Sequence, residues 1–371
     1  MVSYPGWTFL QGKAMPSDRP IRFGLIGCGR VAHLRYLPIL RSLPKAQLTA
    51  IADPEFEKLG AVRGRFPSVE FYKDHDELLK RGGVDAVVVA TPPHLHAAIT
   101  LDAIAAGVHT LVEKPFATTV ADAERVVKAA EASLVKVMVS FHKRRLPRHM
   151  QARALIDRGI LGAPYAAECT FLSSGYDTGR WRPHTDFVRQ RATGGGALFE
   201  LGSHQIDLVR FILGQEVVEL RCQIRSRHWE DDSAWLLLTL EGGALASLYS
   251  GFGPAEAKRL EIFCENGRLS VPSTYASLWV GERSLRQFVW APFHYLKDFA
   301  RAAIENTRKS WHREHRSHVV QLIDFIDCIQ MDKEPSPGVL DGLANTMVIE
   351  AAYRSAEQNG APVTPLKVKL K

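Results

Sequence analysis

The stretch "IRFGLIGCGRVAHL", Ile21 to Leu34, decides how the chain folds. Its first half is a short β-branched apolar run, the signature of a buried strand. Gly27, Gly29 and Ala32 then set a Gly-x-Gly-x-x-Ala spacing, and the pattern turns helical in "RVAHLRYLPILRSL". Gly27 permits the tight turn, Gly29 lets the backbone approach a pyrophosphate, and Ala32 is small enough for helix and strand to pack closely. Arg30 and Val31 occupy the free positions at the helix start, where backbone amides receive phosphate charge.

Such a turn is weak evidence alone, but a second feature lies in register with it. The next strand ends at Asp53 in "AIADPEF", about 20 residues on, where a carboxylate binds both hydroxyls of an adenosine ribose. A carboxylate there repels a 2′-phosphate, and Pro54-Glu55 follows in place of a basic residue. The expected cofactor is therefore NAD(H) in preference to NADP(H). The competing reading is a bare turn with Asp53 capping the helix near Pro54, which requires glycines, strand context and acid to coincide by accident.

Further runs "QLTAIAD", "VDAVVVA", "VHTLVE" and "VKVMVS" alternate with the helical stretches "HLHAAITLDAIAAG" and "TVADAERVVKAAEAS". This rhythm predicts a doubly wound parallel sheet, a Rossmann domain over 21–140, with strands apolar throughout because helices cover both faces. In "ATPPHLHAA", Thr91 and Pro92 follow a strand end and would line the nicotinamide half of the cofactor site. His94 and His96 have a spacing that could serve a metal, but a cap and a surface residue are the commoner outcome. A contact from His96 to ribose or substrate stays open.

After Ser140 the pattern changes. A helix near 147–158, a strand around 165–172 and an irregular segment lead to the runs "VVELRCQIRS", "SAWLLLTLEGGALASLYSG" and "RLEIFCENGRLSV", with "EGG" and "ENG" as hairpin turns. These predict a large, mostly antiparallel sheet. Helices "SHVVQLIDFIDCIQ" and "GLANTMVIEAAYRSAEQNG" close the chain, the second ending at Gly360. The expected organisation is an N-terminal arm (1–20), the Rossmann domain (21–140) and an α+β substrate-binding and oligomerisation domain (141–371), an α/β protein overall.

Composition limits the function. With 371 residues, 46% hydrophobic and 23% charged, the chain has the balance of a folded two-domain protein, not of a disordered or fibrous one. No apolar run approaches the roughly 20 residues of a membrane span, and no secretory leader is visible, so a cytoplasmic protein without membrane contact is expected. Five scattered cysteines without CxxC pairs predict reduced thiols. The net charge of +7 is dispersed apart from "HKRRLPRH" (142–149) and "RKSWHREHR" (308–316), and without a nucleic-acid motif it favours an anionic small substrate over nucleic acid.

In "GGGALFELGSHQID" (194–207), Glu200, His204 and Asp207 fall on one helical stripe. That stripe could be a metal site, a proton-transfer site or a solvated face, and the apolar Leu201, Leu208 and Phe211 beside it imply partial burial. Together with Glu113-Lys114-Pro115 in "VHTLVEKPFATT", the glycine turn and "ATPPHLHA", the order of motifs resembles the glucose-fructose oxidoreductase / inositol dehydrogenase (Gfo/Idh/MocA) family over essentially Ile21 to the C-terminus.

That resemblance implies a Rossmann domain followed by an α+β domain whose open sheet packs against a partner, giving a homodimer or homotetramer. The active site would lie between the domains. It implies that Lys114 polarises the reacting hydroxyl of a sugar-like substrate while His204 takes its proton, with Glu113 and Lys114 also beside the cofactor. Hydride chemistry then resides in NAD, so no metal is expected. Relatives most often carry Asp where this chain has Glu200, which could orient His204 or touch a substrate hydroxyl. Asp207 could orient His204 or be a structural partner. Among Lys143, Arg144 and Arg145, the family's substrate-approaching arginine suggests Arg144; an exposed basic loop is the alternative. Tyr176, Trp181, His184 and Asp186 could form a sugar-binding wall, and Arg182 a cofactor contact. Gly194 to Gly196 would admit a helix N-terminus close to ligand, or hinge.

The expected activity is NAD(H)-dependent interconversion of a secondary hydroxyl and a ketone on a sugar, cyclitol or nucleotide-linked sugar. The alternatives are a glycosidase that oxidises transiently and retains NAD, and a cofactor-binding regulator without turnover.

Overall fold

The computed structural model describes residues 19–174, 186–253, 256–272 and 310–366. Strands β1 (Ile21–Ile26), β2 (Ala46–Ala52), β3 (Glu70–Tyr72), β4 (Ala86–Val89), β5 (His109–Val112) and β6 (Val137–Val139) form one parallel sheet in the order β3-β2-β1-β4-β5-β6. All four residues of β4 are buried, as a strand covered on both faces requires. The order reverses between β1 and β4, so connections leave in opposite directions there and a crevice opens at the carboxyl ends. Five of these strands are the runs read from sequence. The sixth, β3, is a three-residue edge strand paired only with β2, too short to carry a periodic signal.

Helices α1 (Leu37–Ser42), α2 (Gly60–Arg65), α3 (His75–Arg81), α4 (His96–Ala105) and α5 (Val120–Glu131) flank this sheet. Two are capped by side chains, Asp74 accepting from the Glu77 N–H at α3 and Thr119 from the Asp122 N–H at α5. The chain enters α1 through a wider π-type turn at Ala32–Tyr36, which keeps the helix start next to the glycine turn.

Helix α6 (Pro147–Asp157) leads into β7 (Pro164–Ser173), and a second π-type turn, Leu198–Gly202, opens α7 (Ser203–Leu213). Strands β8 (Val217–Arg225), β9 (Ser233–Leu240), β10 (Leu245–Phe252), β11 (Ala257–Cys264) and β12 (Gly267–Pro272) complete a second sheet ordered β12-β11-β7-β10-β9-β8. "EGG" and "ENG" join the antiparallel pairs β9/β10 and β11/β12, as their glycines predict. One pair, β7 with β10, is parallel, because α7 is a crossover that returns the chain in the direction of β7. The inner face of this sheet buries Phe171, Leu236, Leu238, Leu248 and Leu260 against Ile206 and Val209 of α7.

The last helices do not follow chain order in their packing. From α8 (Ser310–Gln330), Leu322, Phe325, Ile326 and Ile329 join Phe23 and Leu25 in the core of the first sheet. Helix α9 (Val339–Glu357) contributes Leu343 and Met347 to the first sheet's core and Ile349, Ala352 and Tyr353 to the second's. The segment after 141 thus builds part of both cores. Helix α9 stops at Glu357, short of the expected Gly360, whose N–H returns to the Ser355 carbonyl at 2.8 Å. All five cysteines are buried and free. Among the described residues no helix is long and apolar enough to cross a membrane.

Candidate active site

Gly27 sits at φ +88°, and a Cβ there would lie 2.8 Å from the Ala90 carbonyl, so the close approach of the β1 and β4 exits requires glycine. Around Gly29 the reverse holds. Nothing lies within 4 Å of the place a Cβ would occupy, leaving bare backbone beside exposed Arg30, half-buried Val31 and buried Ala32. Asp53 ties the turn down: its Oδ2 accepts the Cys28 N–H at 2.8 Å and its Oδ1 the Glu55 N–H at 2.8 Å. A carboxylate oxygen accepts more than one bond, so both oxygens keep lone pairs for a ribose. Across the crevice, beside Pro92, Thr91 has a buried Oγ1 with no hydrogen-bond partner among the described residues. An uncovered glycine backbone, a carboxylate at the end of β2 and an orphaned hydroxyl at the end of β4 fit a dinucleotide laid across the switch point.

Two residues expected at the cofactor turn away from it. His96 is buried, with Nδ1 2.7 Å from the Pro115 carbonyl and Nε2 2.9 Å from the Thr91 carbonyl, so its ring clips the loops after β4 and β5 together. Burial lowers its pKa from the ordinary histidine value, against the two carbonyls. The Glu113 carboxylate also points inward. It accepts from the Tyr36 hydroxyl, from Ser140 Oγ at 3.0 Å and from the Lys114 N–H at 3.2 Å, because a carboxylate beneath the sheet ends needs every lone pair met. Burial pushes its pKa up, opposed by Tyr36 and Lys114.

Lys114, just beyond β5, donates from Nζ to Glu200 Oε2 at 2.9 Å and to the Glu200 carbonyl at 3.2 Å. Both side chains are mostly shielded, at 13% and 15% exposure. An ammonium has three N–H donors, so one remains for a substrate oxygen. Glu200 makes no bond to His204. Its length spans the gap to Lys114, and the pair acts as one unit. His204, on the first turn of α7, is buried, and its Nδ1 has no hydrogen-bond partner among the described residues. Its ring meets His142 edge-on at 5.3 Å, and His142 stacks on His318 at 3.9 Å. Burial first, then the charges of Lys143, Lys114 and Lys258, hold His204 well below the ordinary histidine range.

The stripe of Glu200, His204 and Asp207 does not converge on a common point. Glu200 is committed to Lys114, and Asp207 to Arg144, whose Nε lies 3.0 Å from both carboxylate oxygens. Arg144 also reaches Asp341 at 2.8 Å and packs its guanidinium over Phe141 and Phe211. The expectation that Arg144 approaches substrate is therefore corrected: it is buried as a structural tie between the turn after β6, α7 and α9, because Asp207 lies in the core and needs a cation. Asp207 is its partner and not an orienter of His204.

The Gly194–Gly196 run meets protein, not ligand. A side chain at Gly194 would strike Pro93, at Gly195 the Phe187 carbonyl, and at Gly196 the Asp231 carboxylate. Buried Asp231 clamps this segment: its carbonyl accepts the Ala197 N–H, and its Oδ2 accepts the Leu198 N–H at 3.3 Å and the Tyr353 hydroxyl at 2.6 Å. Burial pushes its pKa up to about 7. Tyr176, Trp181, Arg182 and His184 lie outside the described residues, as does the side chain of Asp186.

Sequence reasoning missed Asp231, Tyr36 and Ser140. None stands in a motif, and each acts through a partner more than 20 positions away. Lys143 was in view, but its neighbour Arg144 was preferred. Only the fold shows which of the two faces His204.

Two family models match consecutive parts of the chain: the NAD-binding Rossmann fold of the GFO/IDH/MocA oxidoreductases at residues 21–141, and the GFO/IDH/MocA C-terminal domain at 149–270. The chain is 30% identical over 324 residues to dTDP-3,4-didehydro-2,6-dideoxy-alpha-D-glucose 3-reductase of Actinomadura kijaniata, covering 83% of this chain and 95% of the relative. It is 23% identical to scyllo-inositol 2-dehydrogenase (NAD(+)) of Bacillus subtilis, over 93% of this chain and 96% of that one. Among solved structures, the WlbA dehydrogenase from Bordetella pertussis, in complex with NADH and UDP-GlcNAcA, superposes with a TM-score of 0.82 at 25% identity, covering 95% of this chain and 100% of that one.

Proposed function

This chain belongs to the GFO/IDH/MocA family of oxidoreductases, and from that premise we propose that it interconverts a secondary hydroxyl and a ketone on a sugar, cyclitol or nucleotide-linked sugar. The relatives' names span inositols and nucleotide-linked deoxysugars, and the WlbA structure is a complex with NADH and UDP-GlcNAcA. The observation that carries the reading is a shielded ammonium, Lys114, at the carboxyl end of the dinucleotide-binding sheet, whose charge is felt by a buried imidazole, His204, with no partner for Nδ1 among the described residues.

NAD, when bound, supplies the hydride acceptor. The residues of the chain manage charge and proton. As the C–H hydride leaves, negative charge grows on the hydroxyl oxygen, and the remaining N–H of Lys114 stabilises it in a site shielded from water. The hydroxyl proton passes to His204, which is held neutral and can accept it. Glu200 keeps Lys114 at this place, and the Tyr36–Glu113–Ser140 cluster supports the backbone on which Lys114 stands.

Titration of the protein with NADH and NADPH, followed by a screen of the loaded enzyme against cyclitols, sugars and nucleotide sugars at the nicotinamide absorbance, tests this reading. Turnover on one polyol class supports it; tight NADH binding with no redox change on any class would turn it toward transient oxidation or regulation.

The acid side of the rate profile provides a second check. A depressed histidine pKa keeps the base unprotonated to lower pH, so the acid limb of kcat/KM for oxidation is expected below about pH 6.5, the unperturbed value. A limb at or above that value would remove His204 as acceptor.

The cofactor preference we assign is NAD(H), with Asp53 as the discriminating residue. Asp53→Ala is expected to lower NADH affinity and raise the NADPH-to-NADH affinity ratio by about 10-fold or more. An unchanged ratio means that Asp53 serves only the turn it holds through Cys28 and Glu55.

Copies of the chain pair, in this reading, through the outer face of the second sheet. Trp235 and Leu237 on β9 and Leu245 on β10 are exposed there, with Trp235 packed against Tyr249, grouping apolar side chains on one face as interaction surfaces do. Light scattering of the purified protein gives the mass directly.

A further inference from the structure

Lys114 is held by two atoms of one residue, and one of them is backbone. Its Nζ donates to the Glu200 carboxylate at 2.9 Å and to the Glu200 carbonyl at 3.2 Å. The place of the ammonium therefore depends on where the π-type turn Leu198–Gly202 lies, and not on a side-chain rotamer alone. That turn starts on Asp231. The Asp231 carbonyl accepts the Ala197 N–H at 2.6 Å and its Oδ2 accepts the Leu198 N–H at 3.3 Å, two of the donors that a helix start leaves without an internal partner. Gly196, whose carbonyl accepts the Glu200 N–H at 2.9 Å, passes so close that a Cβ would lie 2.4 Å from Asp231 Oδ2.

We propose that Asp231 is a positioning residue for the reaction: by gripping the start of this turn it fixes the Glu200 carbonyl, and through it the ammonium of Lys114. The inference rests on the dehydrogenase reading above and adds to it a residue that acts only through others.

The loop between β8 and β9 holds Asp231 in one place. The Asp231 N–H donates to Ser226 Oγ at 3.0 Å, and the next carboxylate, Asp232, accepts the Arg227 and His228 N–H groups at 2.7 and 2.6 Å. Asp231 itself has φ +53°, a left-handed backbone that a residue other than glycine keeps only where its surroundings hold it. From the other side the Tyr353 hydroxyl of α9 donates to the same Oδ2 at 2.6 Å. Burying a carboxylate is unfavourable, and Asp207 offsets this by bonding a cation. Asp231 bonds no cation among the described residues; its Oδ2 receives one N–H of the turn and one hydroxyl. Its part is that of an acceptor at a helix start, which orients the first turn.

Asp231→Gly is the direct test, since glycine adopts the left-handed backbone freely and keeps the carbonyl that Ala197 bonds. Amine labelling with acetic anhydride, read at Lys114 by peptide mass spectrometry, follows the ammonium without turnover. In Asp231→Gly the labelling rate of Lys114 is expected to rise about 10-fold and kcat to fall about 10-fold, the equivalent of one lost hydrogen bond, with NADH affinity unchanged. Asp231→Asn keeps an acceptor and tolerates positive φ, so it should restore both readouts toward wild type. Tyr353→Phe removes the other donor and none of the turn's bonds; it should lower the melting temperature and leave Lys114 labelling and kcat at wild-type values. Wild-type labelling or wild-type kcat in Asp231→Gly overturns the proposal. So does Asp231→Asn labelled as fast as the glycine variant, or Tyr353→Phe loosening Lys114 as much, which would mean a general slackening of the fold. Faster Lys114 labelling in Asp231→Gly, in a protein that turns over no sugar, would leave the positioning standing and count against the dehydrogenase reading alone.

Discussion

Lys114→Ala is expected to lower turnover roughly 10²- to 10³-fold, the usual cost of deleting one donor that stabilises developing oxyanion charge. NADH affinity should be largely unchanged. Lys114 stands at the end of β5, on the far side of the switch point from the glycine turn and Asp53, so the loss falls on the step in which charge develops. The variant also leaves the shielded Glu200 carboxylate without its cation, at 15% exposure. A second carrier of the effect is therefore distinguishable: if unpaired Glu200 were the cause, Glu200→Gln added to Lys114→Ala would restore rate. It should not, because a neutral amide still provides no charge for the alkoxide. Steady-state kinetics of the single and double variants, with NADH binding by fluorescence, read both effects. Near-normal turnover in Lys114→Ala would sink the assignment.

Arg144→Ala should act on stability first. Arg144 and Asp207 are both buried, Asp341 shares the guanidinium, and the three residues come from the turn after β6, from α7 and from the start of α9. Burial alone pushes the Asp207 carboxyl up, and Arg144 is what opposes that. Removing one partner of a buried pair costs about 3–5 kcal/mol, because the other charge stays behind without compensation. For a chain of this size that corresponds to a fall in melting temperature of about 4–6 °C. An Arg144→Leu, Asp207→Leu double change, which removes both charges and keeps apolar volume, should recover much of the loss. Calorimetry or a thermal melt decides it. A variant that melts like the wild type but has a raised KM would return Arg144 to the substrate side.

How much of this was readable in advance differs from residue to residue. Gly27, Gly29 and Asp53 announced the cofactor crevice because their roles are local: a left-handed turn, a bare backbone and a carboxylate at a strand end each belong to one short segment. Lys114 and His204 were singled out by the order of motifs, which also pointed to the family. Glu113, His96 and Arg144 were placed at ligands and instead bond inward to Tyr36, Pro115 and Asp207. Residue type alone does not tell which way a polar side chain turns, since a charged group near a site is equally in demand beneath it. The parallel β7/β10 pair and the return of α8 to the first sheet were likewise invisible, both being contacts between distant segments.

The sequence by itself determined the parallel sheet, the dinucleotide turn and the antiparallel second sheet, because each is fixed by periodicity and by conformations that only certain residues adopt within a few positions. The tertiary structure alone decided that Glu200 holds Lys114, that Asp207 belongs to Arg144, and that Lys143 reaches over Phe171. Charges choose partners by distance in space. That distance is set by strand register and helix crossover, which bring together residues as far apart in sequence as Arg144 and Asp341, 197 positions.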